Sequence, residues 1–424
     1  MLAILTVTFL LLMLCSTPIA VAMGLSSLLT MYLADIPMIS AAQKITTGID
    51  SFLFVAIPLF ILAGELMNSS KITDRIFDFA KAVVGKIPGG LGHACVFANV
   101  IFAGMSGSAI ADASGLGTVE IKAMKDNGFD EDFSAAVTAA SSTIGPIIPP
   151  SIPMVIYGGM AEISVGKLFM GGVIPGALMA VMLSTFIVYF AVKRNYPIRE
   201  SMTWRAIFTS FSKAIIPLTA PVIILGGIIT GYFTATEAAA VAAFYALLIG
   251  IFVYRELGWK NTFKVFEDSA LGTANIMLII GCASIFAYVL GYLGAADQLT
   301  DFVTRGKFNA LEIVIVINII VFILGMFMES GAILILLVPI VLPVLKVAQV
   351  DLIYFGVVFV LNLMIGMITP PVGMVLFVVT KIANISFERM SKAIIPFVVP
   401  LTIVLILCIA FPPLVTWLPN WLMP

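Results

Sequence analysis

Four short segments place glycine, proline and hydroxyl side chains in the middle of strongly apolar sequence. They read GMSGSA (104–109), GPIIPP (145–150), GMFMESGA (325–332) and GMITPP (366–371). Proline has no amide hydrogen and its ring clashes with the preceding turn, so a regular helix cannot run through the two Pro-Pro segments. A broken helix exposes carbonyls in one half and amides in the other, which attract a cation and an anion respectively.

The oxygen atoms available at these segments are mostly neutral. Hydroxyls or an accessible backbone are offered by Ser106, Gly107, Ser108, Ser141, Ser142, Thr143, Ser330, Gly331 and Thr369. Such donors suit a small monovalent cation better than Ca²⁺, whose sites usually recruit carboxylates. We therefore expect two Na⁺ sites, with an anionic substrate between the two tips and against the N-termini of the half-helices.

Three acidic residues stand in otherwise apolar sequence, where intramembrane acids are functional candidates. Glu329, at the second tip, is expected to shape the cation site or to gate it. Asp112, just after the first tip, either has a function or caps and pairs locally. Glu237 follows a tight turn, and we expect it to be a helix N-terminal acid at the outer interface.

Several classes of chemistry lack the residues that they need. The sequence has no catalytic pair of carboxylates, no nucleophile–base constellation and no phosphate-binding loop, so we expect neither an enzyme nor an ATPase. His93 is the single histidine and is expected to be structural, and four cysteines stand singly, which leaves haem or zinc without ligands. No organic cofactor is expected, and the net charge of -1 argues against nucleic acid.

The surrounding sequence must hold these segments in a lipid bilayer. Of the 424 residues, 61% are hydrophobic and 11% are charged, whereas soluble domains carry roughly 25% charged residues. The mean hydropathy is +1.15. We predict an all-α, multi-pass membrane protein that begins with a membrane helix rather than a signal peptide. Continuous helices are expected at 2–23, 24–40, 50–68, 168–192, 213–231, 233–254, 267–293 and 392–415.

The two halves of the sequence repeat with a shift of 221 residues. Prolines that only kink helices for packing would explain one break, but they poorly explain breaks that match between the halves. Basic residues in the loops 193–213 and 255–264 place both loops on the cytoplasmic side, which makes the repeat an inverted one. The shift aligns Gly104 with Gly325, Gly145 with Gly366, Pro149-Pro150 with Pro370-Pro371, and Ile174-Pro175 with Ile395-Pro396.

Each half is predicted to contain the same parts in the same order. Scaffold helices occupy 1–87 and 193–308, and each group includes an amphipathic arm helix, cytoplasmic at 69–87 and outer at 296–307. The hairpin arms are too short to span a membrane, so the hairpins are expected to be re-entrant. Paired interrupted segments of this kind point to a transporter's binding site. The two transport repeats are 88–192, with hairpin 88–124, discontinuous helix 133–165 and helix 168–192, and 309–424, with hairpin 309–346, discontinuous helix 351–383 and helix 392–415.

The segment 102–158, FAGMSGSAIADASGLGTVEIKAMKDNGFDEDFSAAVTAASSTIGPIIPPSIPMVIYG, resembles the signature region of one transporter family. This family comprises the large membrane subunits, DctM-like and SiaM-like, of tripartite ATP-independent periplasmic (TRAP) transporters. The segments GIDSFLFVAIPLFILAGELMN (48–68) and TATEAAAVAAFYALLIGIFVYREL (234–257) are similar to the same family, so the likeness runs over essentially the whole chain. The family usually has proline where this chain has Ala235.

The resemblance implies uptake of an organic acid across the bacterial inner membrane, driven by a sodium gradient. It implies an elevator-type inverted-repeat fold like that of divalent anion–sodium symporters. The implied partners are a separate small four-helix membrane subunit and a periplasmic substrate-binding protein. Carried over by motif, one sodium site would use Ser106, Ser108, Gly145, Ile148 and Pro150, and the other Gly325, Met328, Gly366, Thr369 and Val372. The substrate would bind at Ser106, Gly107, Ser108, Pro150, Ser151, Ser330, Gly331 and Pro371.

Three other functions are weighed against this one. A stand-alone sodium–dicarboxylate symporter would have the same fold but would need no binding protein. An ion-conducting subunit of a respiratory complex needs a chain of buried Lys, Glu or His residues, and an intramembrane enzyme needs catalytic groups; the sequence contains neither. As the substrate, sialic acid is preferred narrowly to a C4-dicarboxylate.

Overall fold

The structure, a computed structural model, describes residues 1–15, 17–84, 87–197, 204–295, 298, 305, 306 and 308–423. Regular structure in these residues is helical, and no strand occurs among them. Together with the apolar composition, the long helices make the chain a multi-pass membrane protein, as predicted. Within the described ranges, seven helical segments are long and apolar enough to cross a membrane: Phe52–Ser69, Val165–Lys193, Ile207–Ile229, Ala235–Val253, Trp259–Tyr292, Ser330–Val347 and Phe387–Ala410.

The helices follow one another along the chain with short connections. A 3₁₀ turn at Phe52–Val55 leads into the fourth helix, and a π-helical turn at Ile249–Val253 extends the twelfth. In chain order the α-helices are α1 (Leu2–Leu14), α2 (Ile19–Leu33), α3 (Ile39–Ile49), α4 (Ala56–Ser69), α5 (Ile72–Val84), α6 (Gly90–Ser106), α7 (Ala109–Asp126), α8 (Glu131–Ser142), α9 (Ile152–Ala161), α10 (Val165–Lys193), α11 (Trp204–Ile229), α12 (Ala235–Leu248), α13 (Trp259–Tyr292), α14 (Ala310–Gly325), α15 (Ser330–Val347), α16 (Leu352–Gly366), α17 (Met374–Ala383), α18 (Phe387–Ala410) and α19 (Pro413–Leu422).

The two spans predicted at the start of the chain are wrong. Instead of helices at 2–23 and 24–40, the chain forms α1 and α2, which pack against each other, and then the amphipathic α3. Pro18 is the N-cap of α2, and a proline at this position cannot donate the amide that would continue α1. α2 stops at Leu33, and Asp35 then takes a left-handed conformation with φ of 53°.

We use the name flanking helices for α2–α5 and α11–α13. α4 packs against α12 and α13, and α13 also packs against α2 and α3. The amphipathic α5 confirms the helix predicted within 69–87: it buries Ile72, Ile76 and Phe77 and packs against α6 and α11. The matching outer arm predicted at 296–307 lies outside the described residues, apart from 298, 305 and 306.

We use the name repeat helices for α6–α10 and α14–α18. Helices α6 to α10 begin at residues 90, 109, 131, 152 and 165, and their counterparts α14 to α18 begin at 310, 330, 352, 374 and 387. Each helix of the second half therefore begins 220 to 222 residues after its counterpart. The repeat found in the sequence is thus present in the secondary structure, almost residue for residue.

The repeat helices of the two halves pack crosswise. α7 packs against α17, and their counterparts α15 and α9 pack against each other in the same way. The contact of α8 with α18 is likewise matched by that of α16 with α10. Contacts that occur in such matched pairs indicate a pseudo-two-fold arrangement, in which each hairpin is held by the discontinuous helix of the other half.

The end of the chain also differs from the prediction. The helix expected at 392–415 is observed as α18, which ends at Ala410, followed by the short α19. Pro413 is the first residue of α19, where its missing amide and fixed φ are tolerated. α19 packs against α10, so the chain finishes on the surface of the repeat helices.

A polar cluster ties α8 to the chain that follows α10. The Oδ2 atom of Asp130 accepts hydrogen bonds from the Tyr196 hydroxyl at 2.7 Å and from Arg194 Nη1 at 2.8 Å. The Tyr196 hydroxyl bond and the Arg194 guanidinium lower the pKa of the Asp130 carboxyl below its ordinary value. The ionised form of Asp130 is therefore favoured in the folded protein.

We expect Asp130→Asn to destabilise the protein at pH 7 by less than about 1 kcal/mol, because the cluster is partly exposed and screened by water. A lowered pKa in the folded state contributes stability above the unfolded carboxyl pKa of about 3.9 and loses it as the pH falls through the lower folded value. Thermal unfolding of the two proteins should therefore differ at pH 7 and converge at about pH 3. The exposed Asp126, substituted by Asn, is the control and should show little difference at either pH. A difference for Asp130→Asn that persists in acid would contradict this assignment.

Candidate substrate and cation sites at the helix breaks

A cavity of about 250 Å³ lies between the flanking helices and the two hairpin tips. Glu65 on α4 and Gly272 on α13 line the flanking side. Residues 106–111 of the first tip and 329–331 of the second line the opposite side, with Pro146 beside them. Both predicted tips and one predicted break thus face a single concave space.

The first tip lies directly against the first break. α6 ends at Ser106, and Gly107 reverses the chain with φ of 63°. The amide of Ile152 donates to the Gly107 carbonyl at 3.3 Å, and a Cβ atom on Gly107 would lie 2.7 Å from the carbonyl oxygen of Pro150. Only glycine fits this conformation at such close approach. The chain between Ser142 and Ile152 is not helical in the α sense, which includes the predicted break at 145–150.

The second tip and the second break make the corresponding contact. A Cβ atom on Gly366, the last residue of α16, would lie 2.7 Å from the Cα atom of Gly325, so the two backbones touch. The amide of Gly373 donates to the Met326 carbonyl at 2.9 Å. The Thr369 hydroxyl, inside the break, donates to the Ile365 carbonyl at 2.6 Å, which leaves its own oxygen lone pairs free to accept or coordinate.

Three helix N-termini converge around the cavity. α7 begins after Ser108, whose hydroxyl accepts from the Ala111 amide, and α9 begins after Ser151, whose hydroxyl accepts from the Met154 amide. α15 begins after Glu329, whose carboxylate accepts from the Ala332 amide at 3.1 Å and from the Ser330 hydroxyl at 3.2 Å. Two of the N-termini therefore have neutral caps, and the third has an acidic one.

The structure brings together part of the predicted substrate set. Ser106, Gly107, Ser108, Ser330 and Gly331 line the cavity. Pro150, Ser151 and Pro371 are not among its lining residues, and Ser151 is fully buried. The residues predicted to bind sodium lie at the tips and breaks themselves, behind the cavity wall in most cases. That Ser106, Ser108, Gly145, Ile148, Pro150, Gly325, Met328, Gly366, Thr369 and Val372 bind sodium stays a prediction.

The three acids singled out in the sequence have distinct environments. Glu237 completes a capping box with Thr234, which confirms it as a helix N-terminal acid. Asp112 is fully buried and accepts a hydrogen bond from Ser106, while its Oδ2 atom faces Gly145 without a partner in the described structure. Asp112 therefore pairs locally and also joins the first tip to the first break. Glu329 caps the second hairpin arm, as described above.

The groups expected to be structural are placed as follows. The ring of His93 bonds the carbonyl oxygen of Pro88 at 3.2 Å, in agreement with a structural role. All four cysteines are free, with Cys95 and Cys408 buried and Cys15 exposed. Among the described residues no group of three or more His, Cys, Asp or Glu residues is arranged to hold a metal.

The sequence also matches known proteins. A family model described as the DctM component of tripartite ATP-independent periplasmic transporters matches residues 6–414. The chain belongs to this family. Together with its apolar helices, membership makes it a multi-pass protein of the bacterial inner membrane.

Relatives in the family differ in the substrate that they are named for. The chain is 43% identical over 380 residues to the sialic acid TRAP transporter large permease protein SiaM of Vibrio cholerae, covering 90% of this chain and 89% of that protein. It is 39% identical to the sialic acid permease protein SiaT of Haemophilus influenzae, covering 98% of this chain and 68% of that protein. It is 38% identical to the C4-dicarboxylate large permease protein DctM of Pseudomonas aeruginosa, with 95% and 94% covered. These relatives are transport permeases, not enzymes.

The fold is shared with a solved transporter outside this range of identity. The crystal structure of the Alcanivorax borkumensis YdaH transporter superposes with a TM-score of 0.67 at 11% identity, covering 90% of this chain and 88% of that one. At such low identity the likeness concerns the fold alone. It establishes that the helical arrangement described above is one that a transporter adopts.

Two polar features near the site were missed in the sequence. Glu65 lines the cavity from α4, within the motif GELMN, where an acid in an apolar span was a signal that could have been used. Asn99 joins three helices, because its amide donates to Glu120 at 2.8 Å and to Ser141 at 3.1 Å. Glu120 is fully buried, although the polar sequence around it resembles a surface segment. Only the packing of α6, α7 and α8 shows that these residues meet.

We expect Gly107→Ala to destabilise the protein more than Gly128→Ala. Both glycines have positive φ, 63° and 81°, so each substitution costs about 1–2 kcal/mol from the left-handed conformation. A Cβ atom on Gly128 has nothing within 4 Å, whereas one on Gly107 meets the backbone of Pro150. That contact should add about 1–3 kcal/mol. Thermal unfolding of the purified variants measures the difference, and equal losses would show that the tip does not press on the break.

Proposed function

We propose that this chain is the membrane subunit that carries out sodium-gradient-driven uptake of an organic acid, of the sialic acid or C4-dicarboxylate class. The observation that carries the proposal is the cavity at which two hairpin tips meet the half-helix N-termini. Two broken helices in matching positions supply free carbonyls for cations, and the N-termini beside them supply amides for an acid.

The sodium ions would bind where each tip touches its break. In the first half, the Ser106 and Ser108 oxygens and the carbonyls of Gly145, Ile148 and Pro150 are the proposed ligands. In the second half they are the oxygens of Gly325, Met328, Gly366, Thr369 and Val372. The free lone pairs of the Thr369 hydroxyl support this assignment, since its hydrogen is used by the Ile365 carbonyl. Sodium bound there would link tip and break, and so would order the wall against which the substrate binds.

Alternating access would occur by an elevator movement of the repeat helices against the flanking helices. The contact between the two sets is smooth in several places. A Cβ atom on Gly64 of α4 would lie in ordinary contact at 3.4 Å from Ser106, and Gly104 of α6 lies directly against Pro221 of α11. Surfaces with small residues at the contact have few interlocked side chains to separate when they slide.

The partners in this proposal follow from membership of the family. A periplasmic binding protein would deliver the acid, and a small four-helix membrane subunit, carried on a separate chain, would hold this one in the bilayer. The stand-alone symporter weighed in the sequence is not favoured, because the family model and the relatives described above are of the tripartite type.

We expect Thr369→Val to weaken the sodium dependence of uptake while leaving membrane insertion intact. Loss of one oxygen ligand to a cation corresponds to a loss of affinity of about tenfold or more. Uptake by the complete three-part system in proteoliposomes, measured against external sodium, gives the half-saturating concentration for each protein. Thr402 is the matched control, since its hydroxyl bonds the Val398 carbonyl at 2.9 Å in the same way but lies on α18, away from the breaks. Unchanged sodium activation in Thr369→Val would remove Thr369 from the site, and uptake by the wild type that ignores sodium would contradict the proposed function.

A further inference from the structure

The cavity carries charge unevenly, and its first wall attracts an anion. α7 and α9 begin side by side at this wall, where the Ile152 amide bonds the Gly107 carbonyl. Their caps, Ser108 and Ser151, are neutral, so no carboxylate occupies the ends of these two helices. Asp112, in the first turn of α7, is directed at Ser106 and Gly145 and is not among the residues that line the cavity. The partial positive charge of the two N-termini therefore remains available to a substrate carboxylate.

The second wall carries carboxyl groups instead. Glu329 already uses its carboxylate to cap α15, so this N-terminus is occupied by an acid of the protein itself. Glu65 faces the cavity from α4, is half-buried, and has no hydrogen-bond partner among the described residues. None of the described residues that line the cavity is Lys, Arg or His, so no cationic side chain balances the two acids.

We propose that Glu65 and Glu329 make this cavity selective for an acid with one carboxylate and many hydrogen-bond donors, and against dicarboxylates. The inference rests on the proposed function, in which an organic acid binds between the tips. A single carboxylate binds at the N-termini of α7 and α9, and hydroxyl or amide N–H groups at the other end donate to Glu65 and Glu329. A dicarboxylate brings its second carboxylate against these two acids, and like charges at close range disfavour binding strongly. Of the two substrate classes, the cavity thus fits a polyhydroxylated sugar acid.

The test is direct binding to the purified membrane complex without the periplasmic protein, so that the selectivity of the cavity is measured alone. The probes are sialic acid and gluconate as monocarboxylates, and succinate and fumarate as dicarboxylates, each titrated in sodium and followed by isothermal calorimetry. We expect the wild type to bind at least one monocarboxylate about 100-fold more tightly than either dicarboxylate. Glu65→Gln and Glu329→Gln should each weaken the monocarboxylate and strengthen the dicarboxylates, each by about tenfold.

Glu312→Gln is the matched control, because Glu312 is also a helix-capping acid, at the start of α14, but does not line the cavity. It should leave the ratio of the two affinities unchanged. Gln retains an oxygen that can cap a helix, so the Glu329 variant is expected to fold, and its thermal unfolding checks this.

Two results would overturn the inference. Tighter binding of a dicarboxylate by the wild type is one, and equal weakening of both classes by Glu65→Gln and Glu329→Gln is the other. In either case sodium-dependent binding of an acid would leave the proposed function standing. Failure of all four acids to bind in sodium would overturn the inference and the proposed function together.

Discussion

The structure depends on one constraint, which is that lipid offers no hydrogen-bond partner to an interrupted backbone. This protein stops a helix at Gly366 and another at Ser142, and it turns two hairpins at Gly107 and after Gly325. The freed carbonyls and amides must be satisfied by protein, by water or by a ligand. The tips press on the breaks closely enough to exclude a Cβ atom, so the protein satisfies part of this demand itself. What remains unsatisfied is polar backbone at a cavity wall, and it is the chemistry that binds ions.

The repeat turns this local constraint into a site. Because the second half copies the first with helices starting 220 to 222 residues later, the two tips meet on the same cavity. The crosswise packing of α7 with α17 and of α15 with α9 fixes the tips relative to each other. The halves are nevertheless not equivalent at the cavity, since one N-terminus is capped by Ser108 and its counterpart by Glu329. Symmetry thus builds the cavity, and a departure from symmetry gives it direction.

Glycine and proline made the repeat helices predictable from sequence. Their constraints act within a few residues, so the breaks near Pro149-Pro150 and Pro370-Pro371 could be placed before any packing was known. The same reasoning missed Pro18, which separates α1 from α2, because a uniformly apolar start was taken as one span. Residues that act through distant contacts could not be placed in this way. Nothing local to Asn99 shows that it bonds Glu120 and Ser141, and nothing local to Glu65 shows that it faces the second tip.

The central claim is that two matched breaks bind cations whose gradient drives uptake. The most direct measurement is the number of sodium ions moved with each substrate molecule, obtained from reversal of flux in proteoliposomes that hold the complete system at set sodium and substrate gradients. The account predicts about two sodium ions for each substrate molecule, one for each break. A flux reversal that is independent of the sodium gradient would contradict it.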